Sequence, residues 1–436
     1  MDAARITRVD TIDIRFPTST TLDGSDAMNR APDYSAAYVV LRTNQPGLDG
    51  WGFAFTIGRG NEICIAALAA LRPILVGVTL DEVAHDFAGL WRRLTGDSQL
   101  RWVGPEKGVI HLAAAAAVNA LWDLWAKASG KPVWALVADL SAEQLLSTLD
   151  LRHVTDALSR ERSLELLRQG DVGRQARRSS LLADGFPAYT TSAGWLGYDD
   201  ARIAQLARAA VAEGWTALKL KVGGNHRDDL HRCAIVRAAI GPDVRLMIDA
   251  NQVWEIDEAI ARMHDFAAFD PYWIEEPLSP DDILGHARVT AAVRPIRVAT
   301  GEHVHNRIMF KQFLQADAID VVQVDACRVG GLNEAIVIML LAKAFDRPVC
   351  PHAGGVGLCE NARHVSMIDY LCVGASRDGR MTEHAAHLHD HFVDPIRIER
   401  GAYLAPQTPG FSAQLHEASI AEFSFPHGSY WRRAAA

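Results

Sequence analysis

The chain has 436 residues, 49% of them apolar and 22% charged, an ordinary balance for a soluble globular protein with room for two or three domains. Its net charge of −9 gives no support to a nucleic-acid or anionic-membrane partner. The six cysteines (Cys64, Cys233, Cys327, Cys350, Cys359, Cys372) contain no Cys-x-x-Cys pair and read as reduced thiols of a cytoplasmic protein.

The first residues, Met1 to Arg5, carry no basic segment followed by an apolar stretch, so no signal peptide is expected. Residues 5–56 read as strands. Ile12, Ile14 and Phe16 alternate with polar residues, Tyr38 to Leu41 and Trp51 to Phe55 follow, and a Gly-containing turn lies at Gly47 to Gly50. A long polar loop, Thr18 to Ser35, separates the first two strands, and loops of that length are often functional. From Glu62 to Ala138 the pattern turns helical, with an Ala-rich run from Ala113 to Ala128 and stop signals at Gly130 and Pro132. The longest apolar runs, such as Ile63 to Leu71, read as too short to span a bilayer. Residues 1–140 are therefore expected to form an α+β domain, and the charged stretch 141–183 one or two connecting helices.

Strand–helix alternation begins near Ala188. Expected strands are Ala188–Thr191, Ala217–Val222, Arg245–Asp249, Tyr272–Glu275, Arg297–Ala299, Ile319–Val324, Pro348–Cys350 and Leu371–Val373. Eight such units over residues 184–393 match a (β/α)8 TIM-type barrel; a doubly wound sheet is the competing arrangement. The tail, 394–436, is expected to pack back on the first domain.

The chemistry lies at the strand ends. Lys221, Asp249, Glu275 and Glu302 follow one another at steps of 28, 26 and 27 residues, one βα unit each. Three carboxylates on one rim suit a hard cation such as Mg2+ better than zinc. Lys219 and Lys221 share one face of a strand, so each should make the other's charge costlier and lower at least one pKa. Glu276 should point away from Glu275. Asp325 and His352, again one unit apart, would form a dyad in which the carboxylate fixes the imidazole and raises its basicity; Glu383 could line the same rim. The group His384, His387, His389 and His391 lacks the partners of a zinc site and reads as packing or solvated.

The order Lys-x-Lys, Asp, Glu, Glu, Asp, His resembles the mandelate racemase-like subgroup of the enolase superfamily over nearly the whole chain. Ala120-Leu121-Trp122-Asp123-Leu124 with Gly130-Lys131-Pro132-Val133 looks like its capping-domain signature; Asp249-Ala250-Asn251, Trp273-Ile274-Glu275-Glu276-Pro277 and Gly301-Glu302 look like its metal motifs. Within the subgroup, Leu22 to Asn29, Thr56 to Asn61, Ser98 to Trp102, Gly194 to Gly197 and Pro351 to Glu360 resemble the L-fuconate dehydratases. His384 after Glu383 departs from that pattern and could alter sugar selectivity.

The resemblance implies a capping domain on a (β/α)7β barrel, a homo-oligomer, and a hydro-lyase that dehydrates an acid sugar with Mg2+ on Asp249, Glu275 and Glu302. It implies Lys221 as base, Lys219 as its tuning partner, and His352 held by Asp325 as acid. Asp26, Tyr34, Trp195, Asn251 and Glu383 would contact substrate. Dehydration of galactonate, rhamnonate or mannonate, or 2-epimerisation, remains open on the same scaffold; a non-catalytic sugar-acid-binding protein would not keep every catalytic position filled.

Overall fold

The computed structural model describes residues 4–104 and 106–434. Strands β1 (Ile6–Arg15), β2 (Ser35–Thr43) and β3 (Asp49–Thr56) form an antiparallel meander. Helices α1 (Asn61–Leu75), α2 (Leu80–Gly96) and α3 (Gly108–Ala128) follow, with α3 seated on β3. Small residues on both sides permit this close approach. A Cβ on Gly50 would lie 2.3 Å from the Ala120 carbonyl oxygen, and one on Gly52 2.1 Å from that of Ala116. At 21 residues, α3 is long and apolar enough to cross a bilayer, which corrects the expectation that no run is. Its apolar window is 89% buried inside the protein, as befits the central helix of a core.

Helix α4 (Val133–Asp139) leads into a connecting stretch of three helices, where one or two were expected: α5 (Ala142–Ser147), α6 (Arg160–Asp171) and α7 (Arg174–Asp184). A Ser141/Gln144 capping box and the Ser159 N-cap start the first two.

The barrel runs β4 (Phe186–Thr190), α8 (Asp200–Ala212), β5 (Ala217–Lys221), α9 (His226–Ile240), β6 (Arg245–Asp249), α10 (Ile256–Phe266), β7 (Pro271–Glu275), α11 (Ile283–Val293), β8 (Arg297–Thr300), α12 (Arg307–Gln315), β9 (Val321–Val322), α13 (Leu332–Ala344), α14 (Leu358–Ile368) and β10 (Thr382–His384). Neighbouring strands from β4 to β9 pair in parallel, and β10 pairs with β4 to close the ring. Two expected strands differ. Pro348–Cys350 is reduced to one bridge, Val322 to Val349. Leu371–Val373 belongs to a π-helical turn, Asp369–Val373, that extends α14. Every residue of α14 and of this turn is buried, so the short apolar run Leu371–Val373 reads as a buried strand would. The closing strand is instead the polar triplet Thr382-Glu383-His384.

Inside the barrel an apolar floor (Tyr189, Ala217, Met247, Trp273, Ala299, Val321, Cys350 and Met381) forms a cluster separate from the main core. Alternation then places Lys219, Asp249, Glu275 and Glu383 in the next inward layer. The tail adds β11 (Ile398–Glu399) and β12 (Ala402–Tyr403), which continues the sheet beyond β4, then α15 (Glu417–Phe423) and α16 (Ser429–Ala434). It touches the first domain where Ser424 bridges Ile14 and the Trp431 indole N–H donates to the Arg15 carbonyl (3.1 Å).

Candidate active site

The parallel register sets Lys221 beside Asp249 and Asp249 beside Glu275. Glu302 follows β8 by two residues, past Gly301. Carboxylate oxygens of Asp249, Glu275 and Glu302 lie within 4.8 Å of one another. Lys219 Nζ contacts Glu275 Oε1 (2.5 Å), Glu383 Oε1 (2.8 Å) and Asp249 Oδ2 (3.3 Å); Lys221 Nζ contacts Asp249 Oδ2 (2.5 Å). The Asn251 backbone N–H donates to Asp249 Oδ1 (2.9 Å).

This packing reverses one expectation. Burial and mutual repulsion disfavour charge on the lysines, but the surrounding carboxylates prevail and raise both pKa values, that of Lys219 well above the ordinary range. The acids pay in turn: burial, together with its acidic neighbours, pushes Glu275 up to about 8 against the pull of Lys219, and burial raises Glu302. A set of crowded, all-oxygen donors short of positive charge fits a hard divalent cation. The buried Oδ1 of Asn251, beside Asp249 and without a partner among the described residues, is a further acceptor in this region.

Across the rim, His352 Nδ1 lies 3.0 Å from Asp325 Oδ2, and the Cys327 N–H holds the other Asp325 oxygen (2.7 Å). The expected dyad is therefore assembled. Burial opposes charge on His352, yet Glu302 and Asp325 push its pKa up to about 10. His352 Nε2 is 3.3 Å from Glu302 Oε2.

Lys221, Glu302, Asp325 and His352 open into a cavity of about 290 Å³, roofed by Asp26, Tyr34 and Trp195. Asp26 is folded into an Asx turn that accepts from the Met28 and Asn29 N–H groups. Trp195 lies 5.7 Å from Lys221 Nζ, ring centroid to nitrogen. Lys219, Asp249, Glu275, Asn251 and Glu383 sit behind this wall. Glu383 is held there by Lys219, Thr191 Oγ1 (2.9 Å) and the Ala353 N–H (3.0 Å).

Two further side chains line the site and a third backs it. Glu276 turns from Glu275, as alternation expects: its carboxylate takes His303 Nδ1 (2.9 Å) and Gln252, and lies within 4.8 Å of Glu302. Arg328 and His303 line the cavity, and Arg328 Nε donates to the Glu302 carbonyl (2.9 Å). The only hint of Arg328 in the sequence is a cation three residues after Asp325. His384 faces outward against Trp215 (5.0 Å, stacked) and His389, and burial pushes its pKa down to about 3. It therefore packs the barrel's outside and does not line the cavity. His389 pairs with Glu360 and His391 with Ser419, also packing roles.

A capping domain on a barrel whose rim joins a carboxylate triad to Lys-x-Lys and an Asp–His pair defines a class of proteins, and the chain belongs to it: the enolase superfamily, in its mandelate racemase-like branch. Residues 18–138 match the mandelate racemase / muconate lactonizing enzyme N-terminal domain, and residues 202–419 the enolase C-terminal domain-like family. The crystal structure of human mitochondrial enolase superfamily member 1 superposes with a TM-score of 0.98 at 49% identity, covering 99% of each chain. L-galactonate dehydratase of Hypocrea jecorina is 46% identical over 431 residues, 98% of this chain and 95% of that one. L-talarate/galactarate dehydratase of Salmonella typhimurium LT2, solved with Mg and L-lyxarohydroxamate, gives a TM-score of 0.75 at 25% identity over 96% and 92% of the two chains. The chain is thus an enzyme of the superfamily, similar to acid-sugar dehydratases.

Proposed function

We propose that the protein is a Mg2+-dependent dehydratase that converts L-fuconate to 2-dehydro-3-deoxy-L-fuconate and water. The observation that carries this reading is the presence of Lys221 and the Asp325-held His352 on the wall of one cavity, with a carboxylate triad of which Glu302 shares that wall and Asp249 and Glu275 lie buried behind it. Asp249, Glu275 and Glu302 would hold the cation. Bound there, it supplies positive charge against the substrate carboxylate, where removal of the α-proton builds negative charge.

Lys221 takes the α-proton through Nζ. It must be neutral to do so, and it becomes neutral more easily when Asp249 shares its charge with another cation. Lys219, in contact with three carboxylates, stays charged and disfavours a second charge on Lys221. His352 protonates the departing 3-hydroxyl, which leaves as water; the resulting enol becomes the 2-keto product when its hydroxyl gives up a proton to the now neutral His352, which delivers it to C3. Asp325 holds Nδ1 so that Nε2 carries the mobile proton. Asp26, Tyr34 and Trp195 exclude water from the sugar chain.

L-fuconate is the 6-deoxy form of L-galactonate, the acid named for the relative from Hypocrea jecorina. Cys64, Val109 and Leu112 of the capping domain supply an apolar stretch of cavity wall that suits a terminal methyl. The test is a panel of acid sugars incubated with Mg2+ and followed for 2-keto-3-deoxy acids. Keto product is expected from L-fuconate with a higher kcat/KM than from L-galactonate. Preference for galactonate, rhamnonate or mannonate would reassign the substrate, and inversion at C2 without keto product would make the enzyme an epimerase.

A further inference from the structure

We propose that Trp273 and Gln323 form a neutral clamp that fixes the Glu275 carboxylate and sets the affinity of the site for Mg2+, an inference that rests on the metal reading above. Glu275 Oε2 accepts two hydrogen bonds from the barrel interior, from the Trp273 indole N–H (3.1 Å) and the Gln323 side-chain N–H (2.7 Å). The other oxygen, Oε1, is left to face Lys219. All three side chains are buried.

The construction is specific. Trp273 and Glu275 are two apart on β7 and so share its inward face. Gln323 lies beyond β9, across the intervening β8. That strand presents only Ala299 to the interior, followed by Gly301, whose added Cβ would stand 2.5 Å from the Gln323 backbone carbonyl oxygen. The small residues leave the amide room to reach Glu275. Gln323 also carries a cost that an apolar residue would not: its Oε1 is buried without a partner among the described residues. A side chain kept there against that cost is kept for its donor.

The donors are neutral. Lys219 already sets one ammonium against Glu275 Oε1, and a second positive charge behind Oε2 would add to the repulsion of a divalent ion nearby. An indole and an amide orient the carboxylate and stabilise its charge without adding a positive one. Partners behind a metal ligand act on affinity in this way, and their loss commonly costs 10–100-fold.

Calorimetric titration of the full-length protein with MgCl2, repeated with Mn2+ read by electron paramagnetic resonance, tests the clamp. Trp273→Phe keeps the ring and removes the N–H; Gln323→Leu keeps the approximate volume and removes the amide. Each is expected to weaken Mg2+ and Mn2+ binding about 10–100-fold with an unchanged circular dichroism spectrum. Wild-type affinity in folded Gln323→Leu would overturn the clamp while leaving the metal site standing. Undetectable binding by the wild type, or wild-type affinity in Glu275→Gln, would overturn the metal reading and the clamp with it.

Discussion

Proton exchange at the α-carbon separates the two halves of the site. If Lys221 removes the α-proton and His352 serves the leaving group, then His352→Asn in deuterated water should exchange the α-hydrogen of the acid sugar without releasing keto acid. Lys221→Ala should lose both exchange and product while still binding Mg2+. Asp325→Asn should lower turnover by about 10²–10⁴-fold, the usual worth of a positioned acid or base. NMR of the recovered substrate reads exchange; keto acid made by His352→Asn at the wild-type rate would remove His352 from the mechanism. These residues were readable because each ends a strand and the steps between them equal one βα unit. The protonation of the lysines was not. Spacing shows that Lys219 and Lys221 are neighbours, but only the packing shows how closely carboxylates surround them. Gln323 was missed for a similar reason: one amide in the run Val321-Val322-Gln323-Val324 has no motif, and its partner lies 48 residues away in the chain.

The element that closes the cavity is the loop after β1, and it is fastened to the loop after β4. Asp23 accepts a hydrogen bond from the Tyr198 hydroxyl, and the Arg202 guanidinium stacks 3.5 Å over the Tyr198 ring. The Ser25 carbonyl accepts from the Leu196 N–H (3.0 Å) and the Ser25 Oγ from the Gly197 N–H (2.9 Å). The loop that carries Trp195 is thus tied to the loop that carries Asp26. Tyr198→Phe removes one bond from this latch, worth about 1 kcal/mol. The expected result is a KM for the acid sugar raised about 3–10-fold, with Mg2+ affinity unchanged. An unchanged KM would show that the fastening is passive. Sequence marked this loop by its length and polarity, but not by what it meets, since Asp23 and Tyr198 are 175 residues apart. The same limit misplaced the last barrel strand. Short polar strands such as Thr382–His384 are recognised by the neighbour they pair with, here β4, and not by their own pattern.

At the scale of the whole molecule, the first domain and the barrel are joined by buried charge. Glu334 at the start of α13 receives His111 Nε2 from α3 (2.7 Å) and Arg307 Nη1 from α12 (2.8 Å), while Glu106 takes the same guanidinium nitrogen (3.2 Å). The Trp91 indole N–H donates to the Gly330 carbonyl (2.6 Å) on the same seam. Burial alone would raise the Glu334 pKa, but His111 and Arg307 outweigh it and hold the carboxyl down at about 2. A depressed carboxylate stabilises the fold above its unfolded pKa, near the ordinary value of 4.5, and that contribution fades as pH falls towards 2. The shift corresponds to about 3 kcal/mol, all of it present at pH 7. Glu334→Gln leaves Arg307 buried beside a neutral amide, so it should destabilise the protein by about 3 kcal/mol at pH 7. Because Gln does not titrate, the gap between variant and wild type should narrow as pH is lowered from 4.5 to 2. Chemical denaturation across that range measures both quantities. A gap independent of pH would mean that packing, and not the charge of Glu334, joins the two domains. A closing gap would mean that acid weakens the seam between α3 and α13 that holds the capping domain over the cavity.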